Sequence, residues 1–445
     1  MTGERFSYRT REEFFAAQER AGVSLPFSDD LSVLKRKTKI ADSDVELKNA
    51  LTVHPMEGFD GEADGSPGEL TFRRVKRMAA GGAGLVWIEA TSVVEEGRTS
   101  RSQLWITQKN LDSFKRLAEA AHEASGGAPV ILQLTHSGRF SRPDDTPRPV
   151  IAQHNPVMNE KMRLDPSYPV VTDEYLDSLP EIFGRAAAMA KAAGFDGADV
   201  KCCHKYLFSE LLSAHRREGR YGGSFENRTR LFLDAIRAAA VHRSRDFVIA
   251  SRFGPCDMIP YPWGFGMARD GSLTPDWDEP DRLYRLMAEN GVRLVDMTLG
   301  SPYYNPYINR PYDLGGEEPP EDRLVGVCRL IDAAAHMKRT VPGITLIGTG
   351  YTYPRVFAPQ IAAGAVGAGT ADAAGFGRMA FAYPDFARDI LESGALDAKK
   401  VCLTCSKCTM MMRKIHATGC PVRDQAVYLP MYRELFPPKT VSDGA

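Results

Sequence analysis

From about residue 46 the chain alternates short apolar runs with longer amphipathic ones. The apolar runs are LTVHP (51–55), GLVWIEA (84–90), PVILQLTH (129–136), FDGADVKC (195–202), DFVIASRFG (246–254), VRLVDMTLG (292–300), ITLIGTG (344–350) and AVGAGTADAAGFGR (365–378). Runs this short and this rich in Val, Ile and Leu read as strands buried on both faces. Between them lie ELTFRRVKRMAAGG, SFKRLAEAAHEASG, EIFGRAAAMAKAAG, RTRLFLDAIRAAAVHR, DRLYRLMAENG and LVGVCRLIDAAAHMK. Their apolar residues recur at helical spacing, and several end in a glycine of the kind that caps a helix. Continuous apolar strands alternating with helices predict a parallel sheet. Eight such units predict an α/β fold, the TIM (β/α)8 barrel, which takes about 250 residues and more with insertions. An open doubly wound sheet calls for a G-x-G-x-x-G turn after its first strand, and LTVHPMEGFDG is not one. The expected division is an N-terminal extension over 1–45, with a short helix around Arg11–Ala21, then a barrel over 46–395 and a cysteine-bearing segment over 396–445.

Two connections are too long to be simple turns, 140–169 and 301–323. Each follows a strand and so lies on the face where barrels do chemistry; their Pro and Tyr content suits ordered lids. The strand ends offer Pro55-Met56-Glu57, Glu89-Ala90-Thr91, Gln133 with His136, Lys201 to Tyr206, Arg252, Ser301 to Tyr304, Gly348-Thr349-Gly350 and Gly375-Phe376-Gly377-Arg378. Glycine turns after the last two strands leave backbone N–H groups free, and an arginine joins them. This is where such barrels hold phosphate. Tight turns with no ligand are the plainer alternative.

Composition narrows the class. With 445 residues, 43% apolar, 25% charged and a net charge of −1, the chain has no general attraction to nucleic acid or to an anionic membrane. MTGERFSYRTREEFF has no apolar signal core, and no run of 18 apolar residues exists, so a cytoplasmic protein without membrane segments is expected. Cys202, Cys203, Cys256 and Cys328 read as free thiols of a reducing compartment. The other four, Cys402, Cys405, Cys408 and Cys420, are spaced C-x2-C-x2-C-x11-C. Thiolates select zinc or iron–sulfur clusters. Zinc sites usually pair their cysteines, whereas here the grouping is three plus one and His416 stands alone, which favours a 4Fe–4S cluster over zinc or a disulfide pair.

LKNALTVHPM, GGAGLVWIEAT, QLTHSGR, GFDGADVKCCHKYL, YGGSFENRTR and GFGRMAFAYPDF together resemble the old yellow enzyme-like flavin oxidoreductases over about residues 40–435. The cysteine run resembles their iron–sulfur branch, which includes 2,4-dienoyl-CoA reductase and trimethylamine dehydrogenase. The resemblance implies FMN in the barrel mouth. Pro55, Met56 and Ala90 would line its ring, Gln133 would bond the pyrimidine edge, and Arg252 would sit near N1. Gly348, Gly350, Gly377 and Arg378 would hold its phosphate. Where family members usually carry Thr or Cys beside the flavin N5, this chain has Glu57. Tyr206 matches the proton donor of ene-reductases and His204 the second donor, while Lys201 replaces a histidine. Tyr303 and Tyr304 are expected at the substrate. Together these imply an ene-reductase taking a small unsaturated carbonyl, carboxylate or thioester. An oxidative amine dehydrogenase or N-demethylase, passing electrons out through the cluster, is the alternative. Full-length members of the branch continue into a nucleotide-binding region, and no Gly-rich βαβ fingerprint follows Cys420. NAD(P)H and a separate electron-donor protein or subunit therefore both stand as sources of electrons, and the oligomeric state, a homo-oligomer included, is left open.

Overall fold

The computed structural model describes residues 4–437; the outermost parts of the two expected flanking segments, 1–3 and 438–445, lie outside the described residues. Eight parallel strands close into a barrel in chain order: β1 (Leu51–Val53), β2 (Leu85–Ser92), β3 (Val130–Thr135), β4 (Gly197–Val200), β5 (Val248–Phe253), β6 (Val292–Met297), β7 (Thr345–Gly348) and β8 (Ala373–Phe376). The ring shuts where Ala374 pairs with Leu51 and Phe376 with Val53. Every expected strand is present. The eighth run overreaches, because its first residues belong to the helix Ala358–Gly367 and the strand starts only at Ala373. A stretch of Ala and Gly carries no period to separate helix from strand; the break comes at Gly369, whose φ of +69° ends the helix.

Side chains of the strands sort into two cores, as alternation requires. Val86, Ile88, Leu132, Leu134, Val200 and Val295 pack outward on the ring of helices. Trp87, Ile131, Val248 and Leu294 share a second core with Leu34, Ile40, Val45 and Leu47. The last three lie in or beside the antiparallel pair Thr38–Lys39/Glu46–Leu47, which stops the lower end of the barrel. The N-terminal helix Arg11–Ala21 appears with the expected bounds, closed by a Thr10/Glu13 capping box and by Gly22 in the left-handed conformation. It packs on the far end of the chain, with Phe14 stacked on Phe357 at 4.6 Å and the Ser28 N–H donating to Gln360 O at 3.0 Å.

After the helix Phe386–Ser393 the chain leaves the ring of helices and runs back over the barrel mouth as two short helices, Lys407–Arg413 and Gln425–Leu435. Arg73 holds the second of these by a bidentate pair to Asp424, at 2.7 and 2.9 Å, and Arg77 reaches the same carboxylate. Among the described residues no helix is long and apolar enough to cross a membrane.

Candidate active site

Inside the barrel, moving up each strand by one pleat repeat replaces an apolar side chain with an ionisable or amide one. Trp87 gives way to Glu89, Ile131 to Gln133, Ala250 to Arg252 and Leu294 to Asp296; Gly197 is followed by Asp199 and Lys201. These buried groups hold one another. Asp199 accepts from the Trp87 indole at 3.0 Å and from Gln133 Nε2 at 2.6 Å on one oxygen, and from the Arg252 N–H at 2.7 Å on the other. Burial nevertheless lifts its carboxyl to about 7, against the hydrogen bonds that favour the anion. Asp296 lies 2.8 Å from His54 Nδ1 and 3.2 Å from Arg252 Nε, as ion-pair contacts off the hydrogen-bond line. His54 fits only because residue 375 is glycine: a Cβ there would stand 2.1 Å from the imidazole. Glu89 is tied to Arg74 and accepts the Gly58 N–H at 2.6 Å, so it fixes the loop that carries Glu57.

Above this layer opens a cavity lined by His54, Met56, Arg252, Thr349, Gly350 and Arg378, among others. Arg378 is buried; its Nη2 donates to Pro311 O at 2.7 Å, while Nη1 has no partner. An unpartnered guanidinium N–H in a cavity bordered by glycine turns has the chemistry to receive an anion. Gly350, at φ +104°, and Gly377, where a Cβ would lie 3.0 Å from Met56 Sδ, leave their backbones open to it. These residues fit the phosphate of a flavin nucleotide. Of the expected flavin residues, Met56, Arg252, Gly350, Gly377 and Arg378 line this cavity. Pro55 adjoins it, its carbonyl accepting from Arg252 Nη1 at 2.9 Å. Gly348 ends β7, backed by the Tyr351 ring. Ala90 lies within β2 and offers its carbonyl to Gln103 Nε2 at 3.1 Å; the Gln133 amide is engaged by Asp199.

The β4 loop turns back over the barrel through two left-handed residues, His204 (φ 65°) and Lys205 (φ 60°). The turn sends alternate side chains to different fates. Lys205 is buried and paired with Asp257 at 2.7 Å and Ser213 at 2.6 Å. Lys201 is also buried, its Nζ 3.9 Å over the Tyr206 ring, so neither lysine faces solvent. His204 Nε2 accepts from Asn309 Nδ2 at 3.3 Å, and burial first, then the cations Lys201 and Arg252, keep its pKa well below the ordinary value. It is a neutral imidazole. The Tyr206 hydroxyl lies 3.3 Å from Glu57 Oε1 and 3.2 Å from the Tyr303 hydroxyl. Tyr303 in turn stacks on Phe140 at 3.6 Å. Tyr304, one residue on, packs against the same cluster of Phe140, Met158, Tyr206 and Ile259 and also ties the two long loops together, with Lys161 donating to its carbonyl at 2.7 Å and standing 5.0 Å over its ring.

Glu57 is the residue that sequence reasoning undervalued. Burial raises its carboxyl, against the pull of Lys201 at 4.0 Å. Burial likewise lowers the Lys201 amine, against Glu57. The acid and the base thus face each other with both charges discouraged. The signal was there: an acid directly after Pro-Met at a strand end. Phe140 and His54 offered no comparable signal.

The four clustered cysteines lie over the same mouth. Cys402 is buried and the others are half-buried. Burial lifts the Cys402 thiol to about 11, against Arg378 and the Thr404 N–H, which donates to its sulfur at 3.4 Å. Burial also raises Cys408, against Arg378 and Arg310, and burial first, then the neighbouring Cys402 and Cys408, lifts Cys420 to about 12. Among the described residues no group of three or more His, Cys, Asp or Glu is arranged to hold a single metal ion. The loop is pinned from the barrel. Asp313 N–H donates to Thr404 O at 3.1 Å, Arg310 reaches Ser406 Oγ at 3.3 Å, and Arg355 bridges Asp313 and the Leu403 carbonyl.

The family described as NADH:flavin oxidoreductase / NADH oxidase matches residues 39–265. An NADPH dehydrogenase of Listeria welshimeri serovar 6b is 33% identical over 262 residues, 58% of this chain and 71% of that one. Two solved structures share the fold at 19% identity. A 2-naphthoyl-CoA reductase in complex with 2-naphthoyl-CoA has a TM-score of 0.72 over 92% of this chain and 58% of its own. A 6-hydroxypseudooxynicotine amine oxidase from Pseudomonas geniculata N1 has 0.68 over 90% and 56%. The chain therefore spans little more than half the length of either solved relative.

Proposed function

Because the chain belongs to the NADH:flavin oxidoreductase / NADH oxidase family, and is thereby a flavin-dependent oxidoreductase, we propose that it is an FMN- and 4Fe–4S-dependent ene-reductase. Its substrate is a flat molecule with a C=C bond conjugated to a carbonyl, carboxylate or thioester. The observation that carries this reading is Tyr206, a buried phenol held over the barrel mouth beside neutral His204. FMN, when bound, supplies hydride chemistry. Arg378 and the backbones of Gly348, Gly350 and Gly377 hold its phosphate, and Arg252 offers a cation to the ring. Lys201 and His204 polarise the substrate oxygen, and the Tyr206 hydroxyl gives the proton to the α-carbon. Phe140 and Tyr303 exclude water from one side.

Cys402, Cys405, Cys408 and Cys420 are the ligands this reading assigns to the cluster. The donor set suits it: all thiol, with N–H groups and two guanidiniums favouring thiolate. A single zinc, bound at about 2.3 Å from each sulfur, needs a tighter cage than a body of four irons does. Electrons enter from NAD(P)H or from a donor protein. The deciding experiment is an anaerobic absorbance spectrum with iron and sulfide assays, before and after NADH or NADPH. Flavin with four irons per chain supports the reading. Flavin without iron removes the cluster from it, and bleaching by nicotinamide makes this chain its own reductase.

A second reading, oxidation of an amine, is favoured by Glu57. A charged Lys201 would repel a cationic amine, but burial disfavours that charge, and a Glu57 carboxylate 4.0 Å away, where it forms, would offset what remains. Bound flavin reduced by trimethylamine, and not reoxidised by an enone, would select this reading.

A further inference from the structure

Glu57 Oε1 is the meeting point of three groups: the Tyr206 hydroxyl at 3.3 Å, the Gln103 amide at 3.5 Å and the Lys201 ammonium at 4.0 Å. Arg142 and Arg252 face it from further off. A carboxyl so enclosed, 11% exposed, is costly unless it does something. The other neighbours of the Tyr206 hydroxyl are poorly suited to return a proton to it. Tyr303 is itself a phenol, raised to about 12 by burial, and the Lys201 nitrogen sits over the face of the Tyr206 ring.

The geometry points to Glu57 as the proton store behind Tyr206: its carboxylic acid re-protonates the phenolate left when Tyr206 has protonated the substrate. This rests on the reductive reading above. In the step, one O–H bond breaks at the Glu57 carboxyl and one forms at Tyr206 Oη; no electrons change hands. The carboxylate produced is met by Lys201, and solvent returns its proton through the exposed edge. Burial raises the Glu57 carboxyl, against Lys201 and the Tyr206 hydroxyl, and so favours its protonated form. Glu57 is thus a positioning residue, acting through Tyr206. Its titration answers to Lys201, Tyr206, Tyr303, Arg142 and Arg252 together.

The test is an infrared pH titration of the FMN-loaded full chain in wild type, Glu57→Gln, Glu57→Asp and Tyr206→Phe. Glu89 and Asp199 also hold protons near pH 7, so the Glu57 band is read as the difference between wild type and Glu57→Gln. A protonated-carboxyl band at pH 7, absent from Glu57→Gln and displaced in Tyr206→Phe, is the expected result. With 2-cyclohexenone as the probe reoxidant, Glu57→Gln should slow reoxidation about tenfold or more as pH rises, and Glu57→Asp should restore part of it. No such band at pH 7, or a Glu57→Gln profile equal to wild type while Tyr206→Phe is slow, overturns the store alone. Wild-type rates in Tyr206→Phe, or no reoxidation by the probe, overturn the reductive reading and the store with it.

Discussion

Two layers of the barrel interior, one pleat repeat apart on the same strands, make opposite demands on the chain. The lower, with Trp87, Ile131, Ala250 and Leu294, is dry and apolar and merges with the N-terminal stopper. The upper, with buried Glu89, Gln133, Asp199 and Asp296 and the slightly more open Arg252, carries charge. Apolar burial stabilises at every position. A buried ion stabilises only while its partners stand, and otherwise shifts its proton. The lower layer therefore makes a barrel and the upper layer makes this site. The difference teaches where each kind of mutation should register.

The largest effect is expected above the upper layer. Tyr206→Phe should lower turnover of an enone by about 10²–10⁴-fold, read by steady-state kinetics, with FMN still bound. A relay flavoprotein without its own substrate chemistry would be indifferent. In the lower layer, Leu294→Ala should cost about 2–5 kcal/mol in denaturant unfolding by leaving a cavity. The comparison breaks if that variant loses flavin affinity as severely as an upper-layer one. Arg378→Leu should weaken FMN binding about 10- to 100-fold in a fluorescence titration, since a hydrogen bond to a charged group contributes about 1.5–3 kcal/mol. The smallest effect separates the layers by pH. Asp199 has its carboxyl raised from 3.8 to about 7, so the folded protein holds a proton that the unfolded chain has released. Its contribution to stability is complete below pH 3.8 and is lost as pH rises to about 7. Asp199→Asn should flatten that fall in a series of unfolding curves, whereas Leu294→Ala should shift every curve equally.

Much of this was legible along the chain. Strand periodicity and strand ends bring out all eight strands and the glycine turns that line the cavity with Arg378, because each is a local property of the sequence. Pairings across the barrel are not local. The Glu57–Tyr206 contact spans 149 residues and Arg252 with the Pro55 carbonyl spans 197. Tyr303 and Tyr304 are neighbours of one type, and only the fold of the loop gives one a hydroxyl contact to Tyr206 and the other a bond to Lys161. The partners of Lys201 and Lys205 were equally hidden, because Glu57 and Asp257 lie far from them along the chain.

The way the chain's two ends meet bears on how the protein is made. Phe14 rests on Phe357, the Ser28 N–H on Gln360, the Phe6 N–H on Asp313, and Phe27 fills the space left by Gly364. At about 5–20 residues per second the ribosome needs on the order of 20–70 s to deliver those partners after the first thirty residues have emerged. Throughout that interval Phe14 lacks Phe357, Ser28 lacks Gln360, and β1 has no β8 to close against. The barrel is therefore sealed late in synthesis, by the residues made first, and translation speed and chaperone supply should govern its yield as much as final stability does.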